Sequence, residues 1–307
     1  MRRASLLALV ILTGTTAVAA ERSEVISKSY PAPEGKAVLI DAGPLDLFVR
    51  SAEIADIRLN VQLSAGAFKE TQAVAWLEAH RPTIEDSETV LRLTAPEPHG
   101  LSLLKGVVVS KARIELVLPS HVRPDLSTST GALQVEGEFA LARPLRLRSG
   151  SGDMEFTGWA PELEVRSTSG DMRVRATRAF LVLLARSASG EIILTGGAHR
   201  VRCDTSTGAI RLDGLLGPVG IATTSGTVTA RFDALGQSDE VRITTASGKV
   251  RVTLPPGATP AGEITSARGE IRSAYAGQAD PKGGHLRLAG RGPTVVVTTT
   301  SGRIELF

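Results

Sequence analysis

The sequence predicts an all-β protein: a single-chain parallel β-solenoid (β-helix) of about nine coils behind a β-rich N-terminal cap that contains one short helix. Three observations carry this prediction. A Ser/Thr-x-Ser/Thr-Gly unit recurs at Gly131, Gly152, Gly170, Gly190, Gly208, Gly226, Gly248, Gly269 and Gly302, with Arg268 the one departure from its hydroxyls. The residues on both sides of each glycine alternate apolar and polar with the period of two that marks strands. Equivalent positions carry the same residue type in every repeat, which coil stacking demands and which a meander of hairpins, the alternative architecture, does not need. The period is about 20 residues, so consecutive segments are expected to lie on one another, like on like, in a rod of roughly 43 Å.

From the N-terminus, Arg2 and Arg3, the apolar run Leu6 to Leu12 and the small residues Ala17 to Ala20 read as a signal peptide over residues 1–20. The run is too short and too interrupted for a membrane span, so none is expected after cleavage. Residues 21–120 read as the cap. Strand alternation appears at Val38 and Ile40, at Leu45 and Leu47, at Ile57 to Leu63 and at Ile114 to Leu118, while Phe68 to His80 lacks Gly and Pro and reads as the helix. Gly43 is expected to mark an early, degenerate coil. The apolar run Leu101 to Val109 reads as a buried strand, with a loop touching membrane or partner as the alternative.

Residues 121–307 are the repeats, with an insertion near 274–293 that contains the loop signature Asp280-Pro281-Lys282-Gly283-Gly284. Two residues after each glycine stands an aliphatic side chain, from Leu133 and Met154 to Ile304, and five before it an apolar one, from Leu126 and Leu147 to Val297. Three before it stands a hydroxyl without exception. These positions, together with the one directly before the glycine, form the expected inward set. The glycine is the corner, chosen because it turns without a Cβ penalty, and the hydroxyls are expected to satisfy turning backbone groups. The chain stops in the strand Arg303 to Phe307, which leaves that edge uncapped and predicts edge-to-edge association or a partner there.

The Ile-Glu-Leu-Val-Leu-Pro segment at Ile114 to Pro119, followed by Ser-x-Ser-Gly-Asp-Met units such as Ser167 to Met172, resembles the putative adhesin family of bacterial β-strand repeat proteins, a domain-of-unknown-function family of bacterial envelopes. The resemblance covers about residues 30 to 307. It implies a β-solenoid of the cell envelope with a proposed adhesive role, and it supplies no catalytic residues.

Composition narrows the function. The sequence has 35 basic against 32 acidic residues, too even a balance for a nucleic-acid binder. A single cysteine, Cys203, excludes a disulfide framework and falls at an inward position, where a buried and inert thiol is expected. The histidines His80, His99, His121, His199 and His285 are scattered, there is no Gly-x-Ser-x-Gly elbow and no phosphate loop, so no catalytic residue, cofactor or metal site is assigned. Phe307 ends the chain as an outer-membrane barrel strand ends, but the strands are too short and their inward positions too rich in Ser and Thr for a barrel.

Two surface ladders are the candidate chemistry. Asp153, Asp171 and Glu191 follow successive glycines, and Arg148, Arg166 and Arg186 stand four before them. Stacked carboxylates suit a retaining glycosidase or Ca²⁺, and the alternative is that each Arg neutralises the neighbouring acidic row on a solvated face. Arg173, Arg211, Arg251 and Arg272 form a further basic row that suits an anionic envelope polymer, or only solubilises the face. The leading expectation is a non-enzymatic exported protein of periplasm or cell surface, a scaffold or binding surface whose partner is an envelope protein or polysaccharide. A polysaccharide-active enzyme using the turn carboxylates and an envelope-stress sensor are the alternatives.

Overall fold

A computed structural model describes residues 20–97, 106–280 and 284–307. The signal segment up to Ala19, His99, the Leu101 to Lys105 part of the apolar run and residues 281–283 of the insertion lie outside the described residues. The described chain forms 27 strands and one helix, arranged as two facing sheets of 13 and 14 strands. We call the strand before each corner glycine the leading strand and the one after it the trailing strand. All leading strands share the 14-stranded sheet and all trailing strands the 13-stranded sheet, so each repeat is one coil of a parallel β-solenoid.

Stacking is like on like. Leu147, Val165, Ala185, Cys203, Ile221 and Ile243 are successive register partners in the leading sheet. Met154, Met172, Ile192, Ile210, Val228 and Val250 are their counterparts in the trailing sheet. Both columns are buried and face each other across one continuous core. Each Leu, Ile, Val or Met of these columns contributes about 1.5–3 kcal/mol by leaving water, and a one-residue slip in any coil would expose its whole set. That penalty is what fixes the register. At the far corner Phe139, Phe156 and Phe180 stack with centroids 6.4 and 5.8 Å apart.

The glycine column answers to close approach more than to turning. A Cβ on Gly152 would lie 1.9 Å from the carbonyl oxygen of Gly131, and one on Gly226 would lie 2.0 Å from that of Gly208. Only some of these glycines have positive φ, Gly226 at 140° among them, whereas Gly152 does not. The hydroxyls three before the glycine turn inward and most bond the corner, as Thr245 Oγ1 does to the carbonyl of Ser247 at 3.0 Å and Ser149 Oγ to that of Gly152 at 2.6 Å, while Thr299 Oγ1 is buried without a partner among the described residues. The hydroxyls directly before the glycine, expected inside, are exposed or half-exposed instead, as at Thr130, Ser151 and Thr207. The phase therefore slips ahead of the glycine, where two consecutive residues face outward.

Both ends of the stack depart from chain order, which the sequence did not lead us to expect. Strands β1 (Ala20–Pro31), β2 (Ala37–Asp41), β3 (Asp46–Ala52), β4 (Asp56–Ala67), β5 (Thr83–Asp86), β6 (Val90–Thr94) and β7 (Val107–Pro119), with helix α1 (Glu70–His80), make the cap. Here β2 and β3 already form a coil, parallel to the Gly131 coil on one side and to β6 and β7 on the other. Leu45, not Gly43, lies beneath Gly131, its carbonyl 2.1 Å from where a Cβ on Gly131 would be. Beyond β7 the chain adds β4 and then β1 antiparallel, and α1 covers their inner face with Ala73, Trp76 and Leu77 while Phe68 and Val74 stay exposed. Lys36, 1% exposed, is held there by Asp86 at 2.7 Å.

At the distal end the final segment is not last in space. Thr294–Ser301 lies between the leading strands Glu240–Ser247 and Ala261–Ser266, and Ile304–Leu306 lies between Val250–Thr253 and Ile271–Ser273. The insertion supplies the hairpin Gly277–Ala279 and His285–Ala289, which pairs antiparallel with Ala261–Ser266 and brings Leu288 over the core. The free edge expected at Arg303 to Phe307 is thus not free: that strand has a neighbour on each side.

Candidate functional site

The chemistry of this fold lies on its outer faces, so the two ladders are built up from the strands that carry them. The acidic column sits at the corner, on the residue that enters each trailing strand. Its backbone carbonyl accepts from the next aliphatic residue of the neighbouring coil, as Met172 N–H donates to Glu191 O at 2.8 Å. Its side chain does the same work one coil on. Asp153 Oδ1 accepts from the N–H of Asp171 at 3.0 Å, and Asp171 Oδ1 accepts from the N–H of Glu191 at 2.9 Å. Asp46 Oδ1 likewise accepts from the N–H of Ala132 at 2.9 Å. The remaining oxygens meet arginines of the trailing face. Arg173 reaches Asp171 at 3.0 Å and Asp153 at 3.8 Å, and Arg211 pairs with Glu191.

The arginine column lies on the other side of the corner, on the outer face of the leading sheet. Arg148, Arg166 and Arg186 are direct register partners in three adjacent coils. They do not neutralise the acidic column, as the sequence suggested they would. Arg148 bonds Asp125 at 2.9 Å, Arg166 pairs with Glu164, and Arg186 lies 3.5 Å from Asp204. Glu164 also takes Arg146 at 3.1 Å, and Asp204 takes Arg202 at 3.1 Å. Burial raises the pKa of Glu164, but hydrogen bonds from Arg166 and Arg146 outweigh it and hold the carboxyl below its ordinary value.

The row Arg173, Arg211, Arg251 and Arg272 is tied into the trailing face. Arg251 binds Glu305 at 2.7 Å and Arg272 binds Glu270 at 2.6 Å. Glu305 was not singled out from the sequence, although the basic residues around its column were the signal for it. It is nearly buried, accepts from Lys249 at 2.7 Å as well, and these donors, Lys249 first, hold its carboxyl down at about 2. It ties the last chain segment to the Gly248 coil, while Arg303, 3.2 Å from Glu270, ties that segment to the Gly269 coil.

Other candidates are placed as follows. Cys203 is buried, and burial followed by the charge of Asp204 pushes its thiol up to about 12. His80 stacks on Trp76 with ring centroids 4.0 Å apart, and His121 bonds the carbonyl of Ala32 at 3.0 Å. Among the described residues no three of His, Cys, Asp and Glu come together as metal ligands, and no helix is long and apolar enough to cross a membrane. A shallow hollow of about 390 Å³ on the trailing face is lined by Phe48, Arg50, Arg113, Glu115, Gln134 and Glu136. Arg113 lies 3.7 Å over the ring of Phe48, and Arg178 lies 3.5 Å over that of Trp159, so an arginine covers each of these surface rings.

Comparison with known proteins places the fold. No family model matches the sequence, and no curated protein matches it. A solved structure from Parabacteroides distasonis, described as a putative lipid binding protein, aligns with a TM-score of 0.50 at 11% identity over 92% of this chain and 97% of its own. The two chains share a fold. Structures described as putative adhesins are also similar: one from Bacteroides fragilis with a TM-score of 0.42 at 13% identity over 92% of this chain and 97% of its own, and one from Parabacteroides merdae with 0.40 at 14% over 92% and 96%.

Proposed function

We propose that this chain is a non-enzymatic protein exported to the cell envelope, where its solenoid serves as a scaffold that presents a binding surface, an adhesin in the broad sense. The observation that carries this is the arginine row of the outer leading face: Arg148, Arg166 and Arg186 stand in register on three adjacent coils, an extended charged surface suited to an extended partner rather than a pocket suited to a small one. The disposition of the carboxylates supports the non-enzymatic reading. Asp153 and Asp171 spend one oxygen on the next coil's amide and the other on Arg173, so their roles are already structural. The adhesin description of the structural neighbours, taken with the sequence resemblance, agrees with this reading.

Retention of the mature protein on isolated envelope material tests it. Saturable retention is the expected result, and no retention overturns the reading. Turnover of an envelope or plant glycan that Asp171→Asn abolishes would replace the binding reading with the enzymatic one.

A further inference from the structure

Not all charge on the outer faces is spent equally. On the trailing face Asp153 and Asp171 are committed to backbone amides, and each arginine of the Gly+3 row has a carboxylate partner. On the leading face, Arg146, Arg148, Arg166, Arg186 and Arg202 share, among the described residues, only Asp125, Glu164 and Asp204. The layering is also unequal: these guanidinium groups are 46–65% exposed, whereas the three carboxylates are 14–30% exposed beneath them. What a partner meets is therefore a layer of guanidinium groups over a thinner layer of acid.

Their arrangement is costly for a surface with no partner. Arg148, Arg166 and Arg186 are directly opposite one another in a register the core dictates, and like charges so placed oppose pairing. The same column runs on as Asp204, Ala222, Thr244, Thr298 and Thr265, so the fold does not require arginine there. Departure from the local rule in three consecutive coils marks this stretch as the functional part of the face.

Resting on the binding-surface reading, we infer that the leading-face ladder Arg148–Arg166–Arg186 binds a linear acidic polysaccharide of the polyuronate type, laid along the rod axis with the carboxylates that its screw turns toward the face held by the arginine row. The coil spacing of roughly 4.8 Å is close to the length of one pyranose unit, so one sugar falls to each coil. A planar guanidinium holds a carboxylate through two parallel N–H donors, with the geometric selectivity that a lysine row would lack. Leu184, half-exposed between Glu164 and Arg202 in the neighbouring column, offers an apolar contact to a sugar face.

The experiment measures binding of the mature chain to polygalacturonate, with neutral galactan, inorganic polyphosphate and duplex DNA as parallel arms. The triple variant Arg148→Gln/Arg166→Gln/Arg186→Gln is set against Arg173→Gln/Arg211→Gln/Arg231→Gln, which removes the same charge from the trailing face. Polygalacturonate is expected to bind in a salt-sensitive way, to lose about tenfold in affinity with the first triple and less than about threefold with the second. Equal losses from the two triples, equal binding of galactan, or tighter binding of polyphosphate or DNA would overturn the inference. Arginine modification by phenylglyoxal on the unaltered chain keeps the test open should a triple misfold: the polymer is expected to protect Arg148, Arg166 and Arg186 and not Arg231, and the reverse pattern overturns the assignment. Envelope retention that survives the first triple removes the ladder and leaves the binding-surface reading standing. No retention by the unaltered chain removes both.

Discussion

The order of the last two coils can be decided with paired cysteines. Thr244 and Thr298 are register partners on the outer leading face, and Thr298 is in turn the partner of Thr265. Adjacent strands lie roughly 4.8 Å apart, so Thr244 and Thr298 fall inside the range of about 4.4–6.8 Å between Cα atoms that a disulfide spans, while Thr244 and Thr265, two strands apart at roughly 9.6 Å, fall outside it. Thr244→Cys/Thr298→Cys should therefore oxidise to a closed loop, seen as faster migration on a non-reducing gel and as one linked peptide pair by mass spectrometry. Thr244→Cys/Thr265→Cys should not. Thr265→Cys/Thr298→Cys closes in either order and is the positive control. The native Cys203 does not compete, because it is buried and its thiol is pushed up to about 12. A bond between 244 and 298 closes a loop of 54 residues, counted from the sequence, which in the chain-entropy picture stabilises by roughly 4 kcal/mol. Closure of 244 with 265 and not with 298 would show that the coils stack in chain order and would refute the interleaved arrangement.

Removal of residues 294–307 should leave 261–289 without its parallel sheet neighbours, since those strands pair only with the final segment and with each other; limited proteolysis should then destroy 261–289 and spare the preceding coils, and continued protection of 261–289 would count against this. Gly226→Ala places a Cβ 2.0 Å from the carbonyl of Gly208 at a φ of 140°, and should cost on the order of 3 kcal/mol in denaturant unfolding. Gly220→Ala meets nothing within 4 Å and should stay within about 0.5 kcal/mol, so equal costs would contradict the close-approach account. Arg186→Ala, on the exposed face, should cost under about 1 kcal/mol in the same assay. Glu305 has its pKa lowered from 4.5 to about 2 in the fold, so the stability it adds is fully present above its unfolded value and is lost as pH falls through its folded one. The melting-temperature gap between the native chain and Glu305→Gln should hold steady above about pH 5 and close by about pH 2; a gap that does not change with pH would refute this.

What the sequence made legible is what stacking itself enforces. Aliphatic residues at Met154, Met172 and Ile192 must match because each rests on the next, and the hydroxyls at Thr205 and Thr245 must be small and inward because they close the same corner. The order of the coils was hidden for the same reason. Ile264, Ser266 and Ile271 are equivalent to Val297, Thr299 and Ile304, so either segment satisfies the Gly248 coil. The hairpin at 277–289 decides between them. It follows Ile271–Ser273 in the chain and takes the outer edge of Ala261–Ser266, which leaves only the inner side for the final segment. Charge pairing was hidden because a column fixes which residues stack and not which diagonal neighbour a long side chain reaches, hence Arg148 meets Asp125 rather than Asp153.

The interleaving has a consequence for association. At the distal end the chain places its outermost elements before the coil that sits inside them, so the last strand is locked rather than offered. The strands left at the edges are Thr83–Asp86, Ile271–Ser273 and Gly277–Ala279, each no longer than four residues, and β1. Of these only β1, at 12 residues, is long enough to template another strand, and it carries Glu21, Arg22, Glu24 and Lys28 along its length. Short edges and charged edges are the two means by which sheets resist pairing with one another. Short edges at three positions and charges along the fourth thus oppose growth of the rod along its axis, which agrees with the proposed placing of the partner surface on the flank, where the arginine ladder stands.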